Sequence, residues 1–278
     1  MFDETFRVCF ADTPFGVALH QRIRYQVFCL DKGFEDAAAF STAQETDAWD
    51  DRSAHFIVQN KKTRQWVAAT RLVLPNQGRP LPADDMGIFD RQKLDVPDLL
   101  VGEISRFCII GNRARVGGDS DLQPDPDSLA AWGIGAIGKR QQFEVTLGMI
   151  RAVGIYALKR ELNCIMLITD PFARMLRTLG VILRQVGPAI EHRGMRTPYL
   201  VEMRDSVMSM GRKSSATRAL FRRSRQAYVR ISRVALDDTV DSVSEYAPDH
   251  SLFNETIFRE TVLLPAEKDS ALGTGLGL

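Results

Sequence analysis

Apolar and polar positions alternate over residues 6–10, "FRVCF", the period of a short half-buried strand. Residues 14–32 change to helical spacing, with Pro14 near the start and Gly33 at the end. "AHFIVQN" (54–60) and "QWVAATRLVLP" (65–75) are β-rich runs around the polar turn "KKTR", which predicts an antiparallel hairpin. Residues 76–100, rich in Pro, Asp and Gly, predict a long ordered loop, and "VGEISRFCII" (101–110) predicts a strand. After a second polar stretch at 111–128 the chain turns helical over 129–161. "NCIMLIT" (163–169) then predicts a buried strand, and "PFARMLRTLG" a short helix ended by Gly180. "VILRQVGPAIEH" and "YLVEM" bracket the turn "RGMRT" as a last hairpin. The order β-α-β-β-β-α-β-α-β-β predicts an α/β fold. Its sheet is mixed, antiparallel early, with a parallel crossover after residues 101–110.

Composition narrows the class. Apolar residues make up 45% and charged ones 26%, an ordinary globular mixture. A net charge of +1 gives no global case for a nucleic-acid or anionic-membrane partner. The first residues lack the basic region of a signal peptide, and no run of about 18 apolar residues occurs, so a cytoplasmic protein is expected. Cys9, Cys29, Cys108 and Cys164 show no metal-ligand spacing and read as buried reduced thiols, so no metal is expected.

Four stretches carry charges that a plain core would not choose. They are "RIRYQVF" with Arg24 and Phe28 four apart, "ETDAWDD" with Asp47 and Asp50, Arg71 inside "VAATRLVL", and "GEISR" with Glu103, Ser105 and Arg106. Singly, each has a plain alternative: a solvated helix arginine, loop turn chemistry, or an arginine snorkelling from a strand end. Together, three arginines and the carboxylates of Asp47, Asp50 and Glu103 could neutralise one another in a semi-buried cluster that orients a polar substrate. A period of two puts Glu103 and Ser105 on one strand face and Arg106 on the other. A β-bulge between Ser105 and Cys108 is therefore expected. It would restore a Glu103–Arg106 pairing and splay the sheet, with Glu103 on the substrate side.

The set R-x-x-x-F, E-x-D-x-x-D, R-L and E-x-S-R-F resembles the acyl-homoserine-lactone synthases, GNAT-fold enzymes that take acyl chains from acyl carrier protein. The match falls on Arg24, Phe28, Asp47, Asp50, Arg71, Glu103, Ser105 and Arg106, while Phe34 stands where those synthases keep a tryptophan in the S-adenosylmethionine pocket. "RYQVF", "ETDAWDDRSAHF", "TRLVLP", "GEISR" and "GPAIEHRGMRTPY" further resemble the acyltransferases associated with PEP-CTERM/exosortase systems, relatives of the N-acyl amino acid synthases. That resemblance spans about residues 5–204 and implies a GNAT-like domain over 1–204, with an extension over 205–278.

The implied reaction brings an acyl thioester to a primary amine through a tetrahedral intermediate. It needs a base, oxyanion donors and a slot for the chain. Glu103 is the candidate base, positioned by Ser105, and the backbone of Phe107, Cys108 and Ile109 is expected to supply donors. Arg24, Phe28, Phe34, Asp47, Asp50, Arg71, Arg106, Thr169 and His192 are the candidate substrate-binding residues; Thr169 falls at the chain-length-sensing position of the synthases. His192 and His55 also read as hydrogen-bonded structural histidines. Met149, Ile168, Phe172, Met175 and Leu179 are candidate acyl-pocket walls or plain core.

"RARVGG" (113–118) is a loose version of the pyrophosphate-gripping loop of CoA-dependent GNATs. This weakens acyl-CoA as donor and favours acyl carrier protein, with no resident cofactor. Arg113, Arg115, Lys139 and Arg140 are the candidate carrier contacts. Between Asp205 and Asp237 there is no acid, and arginines interleave with Leu220, Phe221, Tyr228 and Ile231. That pattern allows a helix packed on its own domain, or contact with a membrane surface, a carrier protein or a nucleic acid. Two alternatives to an N-acyltransferase stay open: an acyl-homoserine-lactone synthase, and a non-catalytic binding protein with a basic tail.

Overall fold

The computed structural model describes residues 2–111, 132–213 and 227–237. The chain divides into a unit at Met1–Ser244 and another at Glu245–Leu278, and every described residue lies in the first.

A short helix α1 (Phe2–Thr5) leads into β1 (Phe6–Phe10) and then α2 (Pro14–Arg24). Thr13 caps α2, its hydroxyl accepting from the Gly16 N–H at 3.1 Å. The expected helix does not stay regular to residue 32. From Tyr25 to Asp31 it widens into a π-helix, a feature that recurs at functional sites. The hairpin forms as β2 (Ser53–Asn60) and β3 (Trp66–Val73). The loop over 76–100 contains α3 (Pro82–Asp85) and two 3₁₀ turns. Then come β4 (Val101–Ile109), α4 (Lys139–Leu158), β5 (Asn163–Ile168) and α5 (Asp170–Leu179). Gly180 ends α5 at φ +98°, a left-handed conformation that favours glycine. β6 (Leu183–Gln185) and β7 (Ile190–Glu191) both pair with β8 (Met195–Val201). The helix α6 (Met203–Lys213), the two-residue β9 (Val229–Arg230) and α7 (Ile231–Asp237) complete the described chain.

The strands lie in the order β6-β8-β5-β4-β3-β2-β1-β9. β1 to β4 are antiparallel neighbours, β4 and β5 are parallel, and the sheet is open at both ends. The result is a mixed α/β architecture, an open sheet flanked by helices.

The two sheet faces differ. On one, α4 and α6 cover Phe56, Val58, Leu72 and Met166. On the other, α2 covers Ile57, Ala69 and Cys108, and the 81–100 segment covers Val73, Val101 and Ile165. The expected boundary at 204/205 falls inside α6, whose Met203, Val207 and Met210 are buried in the main core. β9 adds to β1 in parallel, and Ser232 donates from both N–H and hydroxyl to Asp12. Tyr228 packs among Phe10, Phe56 and Tyr156. These contacts tie 227–237 to the domain; Leu220, Phe221, Arg218, Arg222, Arg223 and Arg225 lie outside the described residues.

Candidate active site

The bulge expected in β4 is present. Arg71 pairs with Ser105 and Ala69 with Cys108, so two β4 residues, Arg106 and Phe107, span the space of one β3 residue. Arg106 adopts φ +51°, costly for a residue with a Cβ. The phase reverses across it. Glu103 and Ser105 face the α2 side, whereas Phe107 and Ile109, of the same parity, pack into the α4 side.

The β4–β5 register runs from Val101/Asn163 to Glu103/Ile165. Both strands continue beyond that pair, to Ile109 and Ile168, without further pairing between them. The sheet therefore opens as a V with Glu103 at its apex and the bulge on one arm.

On the α2 side the arginines and carboxylates assemble. Arg24 and Arg71 are fully buried. Arg24 donates to Glu45 and, at 2.5 Å, to Asp50. Arg71 reaches Asp47 at 2.5 and 2.7 Å, Asp50 at 2.6 Å and the Ser105 hydroxyl at 3.0 Å. Arg106, aimed here by the bulge, binds Glu45 at 2.9 Å and Asp47 at 3.1 Å, with its guanidinium 5.6 Å from the Phe28 ring centre. Burial alone would raise the Asp47 carboxyl, but Arg71 outweighs it and holds it at about 2. Glu45 and Asp50 are held down in the same way by Arg24.

Two expectations need correcting. Glu103 is not among the cluster's carboxylates. Its Oε2 instead accepts from the Ala83 N–H at 2.8 Å, beneath the 81–100 segment. The bulge does not restore a Glu103–Arg106 pair, because Arg106 is taken by Glu45, Asp47 and Glu35. Glu45 takes the place given to Glu103, although it opens the same "ETDAWDD" stretch. Burial pushes the Glu103 carboxyl up to about 7, against the pull of the Ala83 N–H and of Arg71.

Other candidates distribute around the V. Phe34 meets Arg193, whose guanidinium stands 6.0 Å from its ring centre and pairs with Glu35. Glu35 also lies 3.6 Å from Arg106, linking the β7–β8 turn to the cluster. His192, in that turn, is held below the usual imidazole range by burial and by Arg193 and Arg196. His55 donates its Nε2–H to the Asp50 carbonyl at 3.0 Å. Its ring meets His20 edge-on at 4.5 Å, a buried partner that its plain helical setting did not mark. Thr169 follows β5 at the open side and is the N-cap residue of α5. Cys108 is buried, its thiol pushed up to about 12 by burial, so only its backbone suits the proposed role.

On the α4 side the V opens onto an apolar cavity of about 40 Å³. Ile104 and Phe107 of β4, Met149 and Val153 of α4, Met166, Leu176, and Met203, Val207 and Met210 of α6 line it. Met149 is the one expected wall residue among these. Ile168 is buried in the adjoining core. Phe172, Met175 and Leu179 flank it because α5 turns its Ala173–Leu176 stripe inward, one position away from the stripe expected; Phe172 still packs against Phe107, the rings tilted with centres 5.5 Å apart. Lys139 and Arg140 sit exposed at the start of α4, and Arg113 and Arg115 lie outside the described residues. Among the described residues no three His, Cys, Asp or Glu side chains converge as a metal site, and no helix is long and apolar enough to cross a membrane.

A family model described as an acetyltransferase (GNAT) domain matches residues 23–116. Among solved structures, the CoA-dependent acyl-homoserine lactone synthase BjaI, determined with SAM and isopentyl-CoA, is 13% identical. The alignment covers 75% of this chain and 88% of BjaI at a TM-score of 0.52. The synthase LasI is 16% identical over 74% and 94%, at 0.49. FeeM, an N-acyl amino acid synthase from uncultured soil microbes, is 11% identical over 75% and 96%, at 0.44. No curated protein matches the sequence. The fold and the matched domain thus define a GNAT-type acyltransferase fold.

Proposed function

We propose that this chain is an N-acyltransferase that moves a medium or long fatty acyl group from acyl carrier protein to the amine of an amino acid or related small molecule. The observation that carries the reading is the V between β4 and β5, which joins an apolar cavity on one face to a charged cluster on the other. A thioester carbonyl lodged in the V has its chain toward Met149 and its acceptor toward Arg106.

Glu103, at the apex, takes a proton from the attacking amine, directly or through a water. A carboxyl poised near 7 holds and releases a proton at neutral pH, as a general base requires. The nitrogen adds to the carbonyl carbon, and backbone N–H groups of Phe107 to Ile109 are suited to the oxyanion. Collapse breaks the C–S bond and releases the pantetheine thiol, which regains a proton. Arg24, Arg71 and Arg106 with their carboxylates form a rigid, charge-matched wall that positions the acceptor, and Ser105 is held by Arg71.

BjaI, a CoA-dependent synthase bound to SAM, supports a second reading in which the donor is acyl-CoA and the acceptor S-adenosylmethionine. Incubating the purified protein with dodecanoyl carrier protein or dodecanoyl-CoA, plus either pooled amino acids or S-adenosylmethionine, separates them by mass spectrometry. N-dodecanoyl amino acids from the carrier-bound donor support the first reading. A lactone product, or turnover with CoA alone, replaces it. No product in any combination leaves a binding protein.

A further inference from the structure

The charged wall leaves one cation over. Around the α2 side of the V stand five arginines, Arg24, Arg71, Arg106, Arg193 and Arg196, and, besides Glu103 on the Ala83 N–H, four carboxylates, Glu35, Glu45, Asp47 and Asp50. The carboxylates are consumed by the first four arginines. Arg196 has no acidic partner among the described residues. Its Nε donates to the His192 carbonyl at 2.8 Å and one Nη to the Arg193 carbonyl at 3.4 Å. These bonds fix the guanidinium in the β7–β8 turn without neutralising it.

Its place in the fold is informative. Thr197 pairs with Ile168, so Arg196 stands one step beyond, at the open end of β5 beside Thr169. It shares strand parity with Leu200, whose side chain packs on the cluster's side of the sheet beside Ile165. Arg193 continues from it through Glu35 to Arg106. A half-buried guanidinium without a counter-ion is costly unless something anionic arrives. Its charge is disfavoured by burial and by Arg193, with no acid offsetting either.

We infer that Arg196 anchors an anionic group of the acceptor, so that the amine acylated in the V belongs to a molecule carrying a carboxylate or a like oxyanion. The inference rests on the acyl-transfer reading but not on turnover for its test. The planar guanidinium takes two carboxylate oxygens side by side, with the turn carbonyls fixing its orientation. The bound carboxylate then gives Arg196 the acidic partner it lacks among the described residues. The other source of an oxyanion, the donor's pantetheine phosphate, would use the same chemistry at the same residue.

Equilibrium titration of the full chain with a panel of N-dodecanoyl amino acids and their carboxamides tests this without turnover. At least one acid is expected to bind about tenfold or more tightly than its amide, the effect of one charge-assisted pair. Arg196→Met is expected to abolish that preference, and Arg196→Lys to restore part of it. Acids and amides binding alike, a preference that survives Arg196→Met, or no acid binding at all would overturn the inference. So would Arg196→Met raising KM for the dodecanoyl donor rather than for the acceptor, which hands the anion to the phosphate. Intact acid binding without any turnover would instead overturn the acyl-transfer reading alone.

Discussion

At the scale of single residues, Glu103 and its neighbours separate two uses of a buried carboxylate. Asp47 is buried against Arg71 and stays ionised, while Glu103 is buried against apolar side chains and one N–H and is lifted to about 7. The sign of the stability effect follows. A carboxyl raised in the folded state favours folding below its unfolded value near 4.3, and the advantage is lost as pH rises through about 7. Glu103→Gln should therefore match wild type in denaturant unfolding near pH 4 and exceed it by up to about 3 kcal/mol at pH 8. Equal stability at both pH values would count against a raised carboxyl. Asp47 behaves oppositely: its contribution is present above about 4 and is lost as pH falls through about 2. Removing its partner by Arg71→Met strands buried charge and should cost about 3–5 kcal/mol in urea unfolding, with the Arg71→Met/Asp47→Asn pair recovering part. His20, buried with its basicity held down chiefly by burial, should lower stability as pH drops below about 6.5.

At the scale of elements, most strands and helices were legible because each has one buried face and a clean period. β1, the β2–β3 hairpin and α5 with Gly180 fall where the pattern put them. The β4 bulge was legible too, since Glu103, Ser105 and Arg106 cannot all share a side of a regular strand. The partners were less so. Which carboxylate meets which arginine depends on where the 45–51 loop lands, and periodicity does not describe a loop. The π-helix at Tyr25–Asp31 left no sign, as its residues suit an α-helix equally. Arg193, Arg196 and Glu35 were missed because a polar turn looks like solvated surface until the sheet brings it beside the cluster. The bulge yields its own prediction. Arg106→Gly keeps the left-handed backbone at φ +51° while removing the ion pairs, whereas Arg106→Val opposes that backbone as well. The valine variant should be less stable by about 1–2 kcal/mol in a urea titration of both. Equal stabilities would mean that the bulge relaxes.

At the scale of the whole molecule, the sheet separates an apolar side from a charged one, and the splay between β4 and β5 connects them. The apolar cavity is closed by α6, most of which lies beyond the span that the sequence resemblance covers. Truncation after residue 202 should expose the core around Met149 and cost several kcal/mol, since three buried side chains, Met203, Val207 and Met210, leave with it. Enlarging a wall residue, as in Leu176→Phe, should shorten the longest chain accepted, read from competing C8 to C16 donors by mass spectrometry. The most direct test of the central claim is the pH dependence of kcat/KM for amine acylation by wild type and by Glu103→Gln. The account predicts a rise with an apparent pKa near 7 in wild type. In the variant the rate should fall by about 10²–10⁴ and that step should vanish. A profile that keeps its step and its rate when Glu103 is replaced contradicts it.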